Sequence, residues 1–343
     1  MSLRLSVLDQ SPIAQGSTGT QALRNTLDLA RLADALGYHR YWVAEHHGGP
    51  MLAGPSPEAL IGPIAAATSR LRVGSGGVML PHYSPLKVAE SFSVLSGLFP
   101  GRIDLGIGRA AGTDPMTTHA LQRDRRQAAP DDFIDQLGEL LAYFDGASGD
   151  DHPLRRLADT LPGRPEAPEP WLLGSSPQSA IWAGQLGLPY AFADFINPGG
   201  AAVAQLYREH FVASRRLEDP RVAVAAWTIA AETDEEALRL SASSRMAMKL
   251  LRQGRLIAVP PVETAQAWLD QQGSRPRPGQ ASERRMVLGS PATVRAELEA
   301  LASAYGAEEA ILVNIVFDHE ARRRSYELAA EAFGLTGASR LAA

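Results

Sequence analysis

Eight short, apolar, strand-like runs alternate with helix-like runs along this chain, and that order limits the fold more than any other feature. Leu3 to Leu8 reads as the first strand. Thr20 to Leu36 carries apolar residues at helical spacing and stops at Gly37. Tyr38 to Glu45 is the second strand. Ser56-Pro57-Glu58 opens a helix, with Ser at the N-cap and Pro at the first helical position. Leu71 to Leu80, Arg102 to Ile107, Trp171 to Leu173, Tyr190 to Phe195, Val222 to Ala231 and Ala310 to Phe317 complete the strands. Helical patterns fall at Pro85 to Leu98, Pro130 to Phe144, Pro177 to Leu186, Ala201 to Arg215, Asp234 to Leu251 and Glu320 to Phe333.

Repeated βα units imply a parallel sheet with right-handed crossovers. Eight of them in 343 residues suit a closed barrel better than an open doubly wound sheet. No GxGxxG follows the first strand, which counts against a dinucleotide-binding fold. The expected fold class is α/β, a single (β/α)8 TIM barrel over residues 1–343 with an insertion near residues 252–286. That stretch holds Gly254, Pro260, Pro261, Gly273, Pro276, Pro278 and Gly279 among basic residues, and is too long for an ordinary connection. It reads either as a mobile lid over a barrel mouth or as an unstructured insertion.

Composition removes several classes of function. The net charge of −5 comes without a basic run, so neither nucleic acid nor an anionic membrane is the expected partner. With no cysteine, disulfides, zinc-thiolate sites, iron–sulfur clusters and thiolate catalysis are excluded. No apolar run approaches the roughly 18 residues of a membrane span. The N-terminus shows no signal-peptide core, so a cytoplasmic location is expected.

In such a barrel, reactive groups sit at the C-terminal ends of strands. Those ends carry Asp9 and Gln10, Glu45 to His47, Gly76 to Met79, Gly108 and Arg109, Gly174 to Ser176, and Asp194. In Gly106-Ile107-Gly108-Arg109, glycines let the backbone approach something bulky and Arg109 offers a fixed positive charge to an anion. A buried strand ending in an ion pair is the plainer account. Gly174-Ser175-Ser176-Pro177-Gln178-Ser179 lies at a strand-to-helix junction, where free N–H groups and hydroxyls suit a phosphate and where simple capping is the alternative. Gly76-Gly77 removes side chains where a flat ligand could lie, or marks a bulge. His46 and His47 point to opposite sides of an extended chain. Either could exchange protons, hold a metal with further ligands, or be satisfied structurally by Glu45. No metal site is expected.

The chain resembles the bacterial-luciferase-like flavin monooxygenases. The likeness spans nearly its whole length and is carried by Tyr41-Trp42-Val43-Ala44-Glu45-His46-His47, Val73 to Pro81, Pro100 to Arg109, and Gly289-Ser290-Pro291-Ala292-Thr293-Val294. The resemblance implies FMN at the C-terminal face of a (β/α)8 barrel. It implies reduced flavin from a separate, transiently bound flavin reductase, O2 as co-substrate, a C4a-peroxyflavin, and a small organic substrate. A homo-oligomer is also expected. The family's phosphate-binding arginine falls on Arg109, and its second phosphate segment on Gly174, Ser175, Ser176 and Ser179. The non-prolyl cis peptide under the isoalloxazine falls on Gly76-Gly77, and the catalytic histidine on His46. Luciferases carry a reactive cysteine where this chain has Gly108, so light emission is not implied. Some relatives use the deazaflavin F420 for hydride transfer. That branch, and a non-catalytic flavin-binding protein, are the alternatives to an FMN-dependent monooxygenase.

Overall fold

The structure, a computed structural model, describes residues 3–109, 113–122, 125–126, 131–145, 153–273, 286–335 and 337. Among them lie nine strands, all paired in parallel: β1 (Arg4–Asp9), β2 (Arg40–Val43), β3 (Arg72–Met79), β4 (Ile103–Gly108), β5 (Glu169–Gly174), β6 (Tyr190–Ala193), β7 (Val222–Ala230), β8 (Met286–Gly289) and β9 (Glu309–Val313). Eight of them close a ring, β1 through β7 and then β9, which pairs back onto β1. The fold is the expected TIM barrel.

The ninth strand, β8, is not part of the ring. Nine residues of β7 outlast its neighbours: Ala223 to Trp227 pair with β9, and Trp227 to Ala230 pair with β8. Four residues, MVLG, are too few to show a period, so β8 was not legible in the sequence. The helices Pro115–Leu121, Arg155–Asp159, Val262–Gln271 and Pro291–Tyr305 were also not anticipated. The helix expected over Ala201 to Arg215 ends at Glu209, and the one expected over Asp234 to Leu251 is two helices, Asp234–Leu240 and Ala242–Arg252.

The expectation for 252–286 needs correction in its described part. Val262–Gln271 is a helix that buries Val262, Ala265 and Leu269 against Ile229, Ala237, Leu240 and Val316. Just before it, Val259 bridges to Ala14, donating its N–H to Ile13 O at 2.8 Å and accepting from Gln15 N at 2.7 Å. The run of glycines and prolines hid a helix whose apolar face is only three residues long. Residues 274–285, the rest of the proposed lid, lie outside the described residues.

Side chains alternate across each strand, so one set faces the helices and the other fills the barrel. The outward set, with Leu5, Val7, Tyr41, Val73, Ile103, Leu105, Val224 and Leu312, joins the helices in the main core. The inward set begins with charge. Arg40, 2% exposed, pairs with Asp104 at 2.8 Å, Glu309 at 3.1 Å and Glu169 at 3.2 Å. Arg72 and Arg221 add bonds to Asp104 and Glu169. Burial pushes the Glu169 carboxyl up, but the Arg40, Arg72 and Arg221 guanidiniums outweigh it and hold the group below its usual value. Above this floor the Arg40 guanidinium lies 4.6 Å from the Trp171 ring, and Trp42 meets Trp171 edge-on at 5.5 Å. Trp42 Nε1 donates to Asp104 at 2.9 Å. The floor closes the barrel from below and leaves its C-terminal mouth as the open end.

Candidate active site at the barrel mouth

At the mouth, the wall made by β3 and β4 has almost no side chains. Ser75 pairs with Leu105 but Val78 with Ile107, so β3 carries one extra residue, a bulge at Gly76-Gly77. The Gly76–Gly77 peptide bond is cis, at the place the resemblance assigns. A Cβ on Gly76 would stand 2.6 Å from Leu8 Cδ1 and 3.0 Å from Trp42 Cβ. On Gly77 it would meet Gly106 O at 2.8 Å, and on Gly108 the Met79 sulfur at 3.3 Å. Glycine is therefore required at Gly76 and Gly77 by close packing, and of these wall glycines Gly76 alone is half-buried while Gly77 and Gly108 are buried.

Arg109 follows β4 directly. Its guanidinium lies 5.5 Å from the Trp182 ring and donates to Asp131 at 3.0 Å. Both partners of that pair are largely exposed, 49% and 78%. Trp182 belongs to the helix Pro177–Gln185, which starts at the end of the neighbouring β5. Arg109 and the serine-rich helix start are thus brought to the same side of the mouth.

At that helix start, Ser176 is the N-cap, accepting from Ser179 N at 3.4 Å, and Pro177 is the first helical residue. The capping account of this segment is correct for Ser179. Its hydroxyl is buried and spent on Ser176 O at 2.8 Å and Tyr190 Oη at 2.9 Å. Ser175 is half-buried, its carbonyl accepting from Asn197 Nδ2 at 3.0 Å, and Ser176 is exposed. Gly174 has no room for a Cβ beside Ser179.

The end of β2 supplies the titratable groups. Arg40 and Trp42 are inward residues of β2, and Ala44 packs in the same inner cluster; His46 is next in that alternation. Its backbone N–H donates to Gly54 O at 2.9 Å, while Nδ1 is buried and has no partner among the described residues. Burial pushes the His46 imidazole down to about 4, and the neighbouring His47 adds to the effect. It is neutral at physiological pH. His47 instead donates from Nε2 to Glu45 at 2.7 Å. Glu45 is buried, accepts Met79 N–H at 2.8 Å, and also takes the Tyr83 hydroxyl. Burial and the nearby Glu45 and Glu58 charges raise the Tyr83 hydroxyl well above its ordinary value. Among the described residues no group of three or more His, Cys, Asp or Glu is placed to hold a metal ion.

Two other strand-end candidates are committed elsewhere. Asp9 takes bonds from Ser11 N, Tyr41 Oη and Arg322 at 2.5–2.7 Å, locking β1 to the helix His319–Phe333. Asp194 accepts from Tyr305 Oη at 2.6 Å behind the barrel wall.

The family model for luciferase-like monooxygenases matches residues 3–308 of the chain. The chain belongs to that family. It is an enzyme, a luciferase-like flavin-dependent monooxygenase. A luciferase-like monooxygenase of Escherichia coli K12 is 41% identical over 332 residues, covering 95% of this chain and 96% of the relative. The crystal structure of apo-MsnO8 is 44% identical, with TM-score 0.88 over 97% of this chain and 98% of that one. The oxygenating constituent of 3,6-diketocamphane monooxygenase from Pseudomonas putida, solved with FMN, is 22% identical with TM-score 0.71, covering 96% of this chain and 97% of that one, and shows the shared fold. No helix among the described residues is long and apolar enough to cross a membrane.

Proposed function

We propose that this monooxygenase binds FMN at the barrel mouth, receives it reduced from a separate flavin reductase, and uses it with O2 to oxygenate a small organic substrate. The observation that carries this reading is the side-chain-free wall at Gly76, Gly77 and Gly108, followed at once by the guanidinium of Arg109. A flat ring can lie against backbone, and a phosphate at an adjacent strand end can take charge-assisted bonds. The same fold holding FMN in the Pseudomonas putida protein supports the choice of cofactor.

The residues fit the group energetically. The Arg109–Asp131 pair is exposed, and such pairs contribute about 0–1 kcal/mol. A hydrogen bond to a charged phosphate contributes about 1.5–3 kcal/mol, so a phosphate can displace Asp131. Ser175 and Ser176 stand at the helix start that would complete the phosphate site, and Gly174 and Ser179 shape that turn. When bound, reduced FMN supplies the electrons that activate O2.

The chain's own part is to bind, orient and shield. Leu52, Leu173, Phe195, Met248, Ile257 and Phe317 are partly buried against the inner apolar cluster and keep water from the mouth. His46, neutral and with Nδ1 unpaired, would take or give a proton at the reacting oxygen or the substrate. A single domain over 1–343, a homo-oligomeric state and a cytoplasmic location belong to the same reading.

The test is a flavin titration. The parent should bind FMN, and Arg109→Ala should weaken it about ten- to a hundredfold while leaving riboflavin, which lacks the phosphate, unaffected. Binding of F420 with none of FMN would sink the assignment in favour of hydride transfer.

A further inference from the structure

A guanidinium that is to receive a phosphate needs a support that does not compete with the phosphate. Arg109 sits half exposed on a long, flexible stem. Among the described residues its hydrogen bonds run only from Nη2, to the two carboxylate oxygens of Asp131 at 3.0 and 3.1 Å. Asp131 is a poor support, because its negative charge repels an arriving phosphate. The other contact is of a different kind. Cζ of Arg109 lies over the Trp182 ring, 5.5 Å from its centroid. An aromatic face attracts a cation through its quadrupole and carries no charge of its own. It holds the guanidinium and leaves Nε and Nη1 to an anion.

Trp182 is itself firmly held. It stands in the second turn of Pro177–Gln185, the helix whose start carries Ser175 and Ser176. It is half-buried against the main core, and its ring lies 5.6 Å from that of Phe133, which is buried. Phe133 opens the helix Phe133–Asp145, two residues after Asp131 in the chain. One rigid helix thus presents both the backbone N–H groups at its start and the face that holds Arg109, at a separation set by helix geometry.

We infer that Trp182 is a positioning residue for the phosphate site, its ring holding the Arg109 guanidinium beside the Ser175-Ser176 helix start while the phosphate takes the free N–H groups. The inference rests on the FMN reading above and extends it to a residue that acts through Arg109 and not on the flavin itself. Trp182 makes and breaks no covalent bond.

The experiment titrates the full-length protein with FMN and with riboflavin, which lacks the phosphate. Trp182→Leu keeps apolar bulk and loses the aromatic face. It should weaken FMN about three- to tenfold and leave riboflavin unchanged. Trp182→Phe should keep most of the FMN affinity. In an Arg109→Ala background, Trp182→Leu should change nothing further. A fluorinated tryptophan, incorporated throughout the chain, weakens the quadrupole with little change of shape, so it tests the contact without the risk that a variant fails to fold. It should lower the preference for FMN over riboflavin in the parent and not in Trp182→Phe. Parent-like FMN affinity in Trp182→Leu overturns the inference. So does an equal loss for FMN and riboflavin, which marks a structural role. A Phe variant as weak as the Leu variant, a further loss in the Arg109→Ala background, or an unchanged preference in the fluorinated parent also overturns it. If the parent binds FMN no more tightly than riboflavin, the phosphate reading of Arg109 fails and this one with it. If Arg109→Ala alone removes that preference, the FMN reading stands whatever Trp182 does.

Discussion

Glu45 accepts the Nε2–H of His47 at 2.7 Å with one carboxylate oxygen and the N–H of Met79 at 2.8 Å with the other. One buried side chain thereby ties the exit of β2 to the last residue of β3, two positions beyond the cis glycine pair.

Removing it should loosen both strand ends. Glu45→Ala strands the part-buried Met79 N–H and frees His47, at a cost of up to about 1–3 kcal/mol for each donor left unpaired. Glu45→Gln should cost less, since an amide can still accept from Met79 and can donate to His47 in its other tautomer. Urea unfolding at fixed pH measures both. Equal midpoints for the parent and the Ala variant would show that the bonds carry no stability.

His46 should leave its mark on stability in acid. Burial first, and the His47 neighbour second, lower its folded-state value to about 4, below the ordinary 6.5. Between those values the unfolded chain binds a proton that the folded chain does not. Stability from this group is therefore complete above 6.5 and is lost as pH falls toward 4, by at most about 1.4 kcal/mol per pH unit. His46→Gln should flatten the stability profile over that window. The same curvature in parent and variant would place the titration on another group.

Gly76→Ala tests the tight wall. The added methyl would sit 2.6 Å from Leu8 Cδ1 and 3.0 Å from Trp42 Cβ, and Trp42 is pinned to Asp104 by its indole N–H. Overpacking of this kind costs about 1–3 kcal/mol. Gly101, which has nothing within 4 Å of an added Cβ but a φ of +72°, is a useful contrast, since its loss would come from backbone strain alone. A Gly76→Ala melting temperature equal to the parent's would mean that Leu8 yields freely.

The ring strands were legible because each buried strand is a short apolar run closed by a turn residue, as in Arg102 to Ile107. The charged floor carries no such local signal, although its members open strands: Arg40, Arg72, Glu169 and Glu309 are each the first residue of their strand. Read singly, a charge at a strand start looks like a solvated end. Only ring closure, which brings β9 beside β1, places Glu309 against Arg40. The site shows the same division. Gly76, Gly77 and Arg109 announce themselves by local pattern. Asp131 lies 22 residues from Arg109 and Asn197 lies 22 from Ser175, separations that carry no periodic signal. His82 and Tyr83 fall between the expected strand Leu71 to Leu80 and the expected helix Pro85 to Leu98, and the bond of Tyr83 to Glu45 and the contact of His82 with His47 exist only once β2 and β3 are adjacent.

The segment that reads as a lid or an unstructured insertion gives the last prediction. A lid swings free of the barrel, and trimming a side chain within it changes gating far more than folding. Leu269 is 5% exposed and packs in the cluster that includes Ile229 on β7, Val316 after β9, and Ala237 and Leu240 of the helix beside it. Leu269→Ala should therefore behave as a core truncation and cost about 2–5 kcal/mol. Urea unfolding with no flavin present measures it, since no cofactor then masks the change. A lid predicts a parent-like midpoint with more hydrogen peroxide released per flavin oxidised. A wall helix predicts a lower midpoint, and because Val259 is stitched to Ala14 just upstream, the loss should appear in the single cooperative transition of the barrel and not as a separate early step.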